Sequence, residues 1–175
     1  MIFDLFKTGS FGFPLSILKQ QHLLNNINMI KNTIAELVER DLQKLSTEIS
    51  LYKDEDNLWV IKGRIGNSAG NLCLHVLGNL NHFIGETLCN TGYVRYRDDE
   101  FSLKHIPRQD LLMNIDNCIL ILNNCFSGLT DTDLEKDFPQ EKHGTTVSTM
   151  HMLIHLYGHL NYHLGQINYH RRQLD

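Results

Sequence analysis

The chain has 175 residues, of which 42% are hydrophobic and 21% charged, with three prolines, a composition of one soluble globular domain that excludes a disordered or fibrous chain. Sixteen Lys and Arg scattered among twenty Asp and Glu give a formal charge of −4 and no basic stripe to neutralise a run of phosphates, which excludes nucleic acid as a partner. No apolar run approaches the roughly 20 residues of a membrane span, the first residues lack the basic and apolar regions of a secretory signal, and Cys73, Cys89, Cys118 and Cys125 form no C-x-x-C pair, so a reduced, cytoplasmic protein is expected.

Residues 1–28 place Phe3, Phe6, Phe11 and Phe13 among Gly9, Ser10, Gly12 and Pro14 with no sustained period. They read as a loosely ordered N-terminal extension ahead of a domain spanning 29–175. From Met29 to Tyr52, Ile30, Ile34, Leu37, Val38, Leu45, Ile49 and Tyr52 recur at three- and four-residue steps and predict a first helix. Lys53 to Gly66 is a connection, with Trp59 packing it onto the helices. Asn67 or Ser68 caps a second helix that runs to about Leu88. Residues 89–106, including YVRYRDDEF, are too charged for a core strand and too broken for a helix.

Pro107 suits the start of a third helix, in which Leu111, Leu112, Ile115, Ile119, Leu122 and Phe126 repeat at helical spacing until Gly128. Ser127 to Thr146 reads as a long loop, and Thr146 or Ser148 caps a last helix to about Arg172, where Arg171 and Arg172 complement its negative end. Four helices with no strand demanding a sheet predict an all-α fold, a four-helix bundle with a long connection between its third and fourth helices. Heptad-spaced Cys118 and Cys125 with Leu111 and Ile115 offer a face for a homodimer.

The last helix contains GHLNYHLGQINYHRR, Gly158 to Arg172. On a helical wheel Leu153, Leu156, Leu160, Leu164 and Ile167 share one sector; His163 lies about 60° from its middle and His159 about 100°, while His155 and His151 fall on the far side. An i, i+4 pair can deliver two imidazoles to one ion, or it can be the polar flank of an ordinary helix. In the second helix His75 and His82 share a stripe with Asn71, Gly78, Asn79 and Glu86 that, taken alone, reads as solvent-exposed. Gly78 and Gly85 weaken that helix by about 1 kcal/mol each, as fits a place where something approaches closely. One histidine from the second helix and two from the fourth make a three-ligand site with open positions.

The stretches L-x-x-H-V-L-G-N-L and H-L-N-Y-H-L-G-Q-I resemble the DinB-like, or YfiT-like, superfamily. RYRDDEF, Arg95 to Phe101, is similar to the R-D-R-D-x-E-F signature of an uncharacterised bacterial branch of it, with Tyr96 in place of Asp. The resemblance covers Met29 to the C-terminus. It implies a four-helix bundle holding a divalent metal, zinc or nickel, on His75, His159 and His163. The superfamily includes thiol-dependent transferases and isomerases, hydrolases and members without known activity.

Around that site Gln166 either orients a ligand or a water or is a surface side chain, and His170 either acts behind the site or serves the helix dipole. His82 either binds a small-molecule substrate or lies on a polar face. Arg95 and Arg97 either hold an anionic substrate or pair with Asp98, Asp99 and Glu100 to pin a loop. H-L-N-Y-H has no Glu inside it, unlike H-E-x-x-H, so a reaction whose nucleophile comes from a low-molecular-weight thiol suits the site better than hydrolysis. The alternatives are a metal-dependent hydrolase and a helical structural or interaction module.

Overall fold

The computed structural model describes residues 15–142 and 144–175, with side chains from Ile30 onward. The first half of the N-terminal extension expected over 1–28 lies outside the described residues. Helix α1 runs Leu15–Ser50, beginning well before Met29, because no Gly or Pro interrupts the chain from Leu15 onward. A 3₁₀ turn, Glu55–Trp59, follows. Helix α2, Ala69–Leu80, is capped by Ser68, whose hydroxyl accepts from the Asn71 amide, and runs without a break into a π turn at Asn81–Glu86 and a last turn α3, Thr87–Cys89. Asn90, at φ 51°, takes the left-handed conformation that ends it.

The segment 89–106 is not wholly irregular: α4, Arg97–Ser102, is a short helix inside it. Pro107 precedes α5, Arg108–Gly128. The expected long loop Ser127–Thr146 also holds structure. Thr130 and Asp133 form a reciprocal capping box on α6, Asp131–Glu135, and the Phe138 amide donates to the Val147 carbonyl at 2.8 Å. Buried Leu134 and Phe138 fold this segment onto the core. Ser148 caps α7, Thr149–Leu174. The described residues are helical with no strand, only two isolated bridges, and no helix among them is long and apolar enough to cross a membrane.

Helix α1 packs against α5 and α7, while α2 packs against α7, α5 and α4. Leu42, Leu45, Ile49, Leu80, Ile84, Ile115, Leu122 and Leu153 are almost completely buried between them, each contributing about 1.5–3 kcal/mol. Leu111, Ile115, Cys118 and Cys125, expected as a dimer face, are 0%, 0%, 0% and 5% exposed and belong to this core. A seam of heptad spacing describes a helix's own core face equally well, so a second copy would have to use another face. The four cysteines are free. Burial pushes the thiols of Cys73, Cys118 and Cys125 up to about 12 and raises that of half-buried Cys89.

The register of α7 against α1 is fixed by polar contacts near their C-terminal ends. Glu48 accepts from Asn168 and Arg171, each at 2.8 Å. His170 is buried and doubly engaged: its Nε2–H donates to the Val60 carbonyl at 2.9 Å and its Nδ1 accepts from the Tyr52 hydroxyl at 2.7 Å. It therefore serves neither the site nor the helix dipole, but ties α7 to the chain leaving α1. Nearer the middle, buried Asp41 accepts from Arg40 and Lys44, and Arg40 reaches the Tyr157 hydroxyl of α7 at 3.1 Å.

Candidate metal centre

Helix α7 presents His159 and His163 one turn apart on the edge of its buried stripe, and α2, which packs across it, presents His75. The Nε2 of His159 lies 3.4 Å from that of His75 and 3.1 Å from that of His163. Ligand atoms of all three residues lie within 4.8 Å of one another, a group that can hold a metal ion. Three imidazoles bound at 2.0–2.1 Å on the corners of a tetrahedron would have nitrogens roughly 3.3 Å apart, so this spacing fits one small divalent cation.

The remaining ring nitrogens fix which atoms face the centre. His75 Nδ1 is 2.8 Å from Glu100 Oε2, and a carboxylate only accepts, so the proton sits on Nδ1 and the Nε2 lone pair points inward. His163 Nδ1 is 2.7 Å from Gln166 Oε1, an amide oxygen that also only accepts, with the same result. Two lone pairs thus converge on one point beside His159. Burial, then the nearby His163 and His75, pulls the pKa of His159 down to about 4. Burial also lowers that of His163, against the opposing effect of the Gln166 hydrogen bond. Neutral rings at pH 7 are the form a cation needs.

His75 is buried, not on a solvent stripe, because α4 covers it. Asn71, one turn earlier on α2, donates to the carbonyls of Glu100 and Leu103 at 3.0 and 2.9 Å, which latches α4 in place. Phe101 packs on the His75 ring at 4.9 Å. Gly78 makes room for Glu100: a Cβ there would overlap its carboxylate. The close approach inferred from that glycine is real, and what approaches is a side chain of the protein itself.

Arg95 donates from Nε to Glu100 Oε1 at 2.7 Å and from Nη2 to Oε2 at 2.9 Å, the loop-pinning arrangement of the two expected. Burial on its own raises the Glu100 pKa, but the hydrogen bonds from His75 and Arg95 and the Arg95 charge outweigh it and hold the carboxyl below its usual range. Arg97 lies over the Phe101 ring at 5.5 Å, and His82 sets its ring edge-on to Phe83 at 4.8 Å, outside the histidine group. Glu100 is the residue the sequence reading overlooked in this role. The signal for it is chemical: a ligand histidine needs an acceptor for its other N–H, and Glu100 is one of the three acids of the RYRDDEF stretch.

The depressed pKa of His159 carries a pH dependence for the metal-free protein. The folded ring protonates near 4 and the unfolded one near its ordinary 6.5, so between these values the unfolded chain holds more protons. The cost this group imposes is therefore absent above about 6.5 and grows as pH falls toward 4, where stability is lost. Thermal melts of chelator-treated protein across this window should show a downward slope that is shallower in His159→Gln; parallel slopes would refute the assignment.

A family model described as "Protein of unknown function (DUF1572)" matches residues 20–175. No curated protein matches the chain.

Proposed function

Because the chain belongs to this family of proteins of unknown function, we propose that it is a DinB-like divalent-metal protein, its four long helices forming a bundle around a three-histidine site, with zinc or nickel as the ion and transfer involving a low-molecular-weight thiol as the reaction. One observation carries the reading: ring nitrogens of His75, His159 and His163, from two packed helices, converge at tetrahedral-edge spacing with two lone pairs fixed inward by Glu100 and Gln166. Among the described residues no carboxylate joins them. A divalent cation held there supplies a Lewis acid that keeps its charge, since all three ligands are neutral, and so favours an anionic thiolate.

The protein's residues do the rest. His75 is held rigidly by Glu100 and Phe101, while half-buried His159 and His163 leave the outward side open to a small molecule. Among the described residues the one carboxylate hydrogen-bonded to the group is Glu100, which lies behind His75 and is fully occupied by Arg95. It is badly placed to take a proton from water, and a thiol nucleophile needs no such base.

Elemental analysis of protein purified without chelator, and of chelator-treated protein re-loaded with zinc or nickel, tests the first half. About one ion per chain is expected, and absence of any bound divalent ion after reconstitution would defeat the metal reading. Loaded protein mixed with a cysteine-derived thiol and a chloroarene electrophile should consume both faster than the metal-free protein; release of nitrophenol from a nitrophenyl ester instead would replace transfer by hydrolysis.

A further inference from the structure

A cavity of about 610 Å³ lies beside the histidine group, between α7 and the segment that leads into α2. It reaches the group through two of its lining residues. Gln166 holds His163 by its Oε1, and the Tyr162 ring lies edge-on to His163 at 5.2 Å. Ile65 and Leu72 give it an apolar floor, and Tyr162 and Tyr169, 65% and 66% exposed, stand along it as aromatic walls.

Its charge is one-sided. Arg64 lines the cavity and has no hydrogen-bond or ion-pair partner among the described residues, none of whose Asp or Glu lines it, in a chain that is acidic as a whole. The Gln166 amide nitrogen adds a donor, since its oxygen is committed to His163. His170 borders the cavity, but both its ring nitrogens are engaged elsewhere, so it contributes no base. An unpaired guanidinium offers a planar pair of donors that matches a carboxylate.

We propose that this cavity binds the carboxylate-bearing, apolar part of the small-molecule substrate, with Arg64 as the anion contact and Gln166 as the link to the metal ligands. The identification of the bound molecule as substrate rests on the metal reading above; the anion site itself does not.

Benzoate and benzamide, alike in shape and different in charge, serve as probes, titrated into the full-length protein with zinc added and after chelation and followed by ligand-observed NMR. Benzoate should bind in both states and more tightly than benzamide. Arg64→Gln should weaken benzoate by roughly tenfold and leave benzamide unchanged. Gly165→Leu should weaken both, because Gly165 lines the cavity and a Cβ added there meets no protein atom within 4 Å, leaving room for the larger side chain to occupy it. Equal affinity for the two probes, or benzoate binding indifferent to Arg64→Gln, overturns the proposal. Benzoate binding that appears only with zinc and survives Gly165→Leu also overturns it, while leaving the metal site intact. Arg64-dependent benzoate binding in a protein that takes up no zinc supports the anion site and defeats the metal reading alone.

Discussion

Glu100→Ala is expected to destabilise the protein by about 3–5 kcal/mol and to weaken zinc binding by about 10- to 100-fold. The stability loss follows from what is stranded. Arg95 and His75, with side chains 12% and 9% exposed, would keep their polar atoms in a site from which water is largely excluded, without the carboxylate that satisfies both. The affinity loss has a separate cause. With no acceptor at Nδ1, His75 is free to turn its ring or move its proton to Nε2, and either removes a lone pair from the centre. Urea unfolding and competition with a zinc-binding dye measure the two effects independently. Gly78→Ala should move both the same way, since its Cβ would displace the Glu100 carboxylate. A folded Glu100→Ala protein with unchanged zinc affinity would show that Glu100 does not orient the ligand.

His159→Ala should abolish the stabilisation that zinc confers while leaving the metal-free protein as stable as before or nearly so. In the wild type, zinc at about 100 times its Kd would add about 2.7 kcal/mol, read as a chelator-reversible rise in Tm. The variant retains two ligands on different helices, too few for a firm site. In the metal-free chain, by contrast, a half-buried imidazole held neutral contributes little that alanine lacks. His155→Ala is the matched control: one turn earlier on α7, its exposed ring lies 6.4 Å from that of His159 and outside the group. Loss of the zinc effect in both variants, or in neither, would move the cation elsewhere.

The wheel drawn on α7 from sequence alone puts His159 and His163 beside the buried stripe, where they are found, because a 26-residue helix with regular leucines leaves little freedom. The same method fails for His75. Its face is polar on α2 because it is covered by α4, and α4 is a six-residue helix of mostly charged residues with no apolar period. No apolar period marks RDDEFS as a helix that packs; it is latched by Asn71 and by the Glu100–His75 pair, contacts 29 and 25 residues apart in sequence. Glu100 is hidden for the same reason, since a buried acid inside a charged run looks like a solvated one. Buried Asp41 shows the effect again: α1 packs on α7, whose Asn161 hydrogen-bonds its carboxylate from more than a hundred residues away. The early start of α1 has another origin: Leu15 to Met29 lacks a clean stripe, and the absence of Gly and Pro lets the helix continue where amphipathicity does not mark it.

The four thiols of the chain acquire a meaning from their placement. Any protein that holds a thiophilic ion faces internal competition from its own cysteines, which are permanently at hand and at far higher local concentration. Here Cys73, Cys118 and Cys125 are sealed in the interior and stay protonated at neutral pH. Were the three histidines to hold such an ion, these three thiols could not reach its open positions, and half-buried Cys89 would be the one cysteine left to exclude.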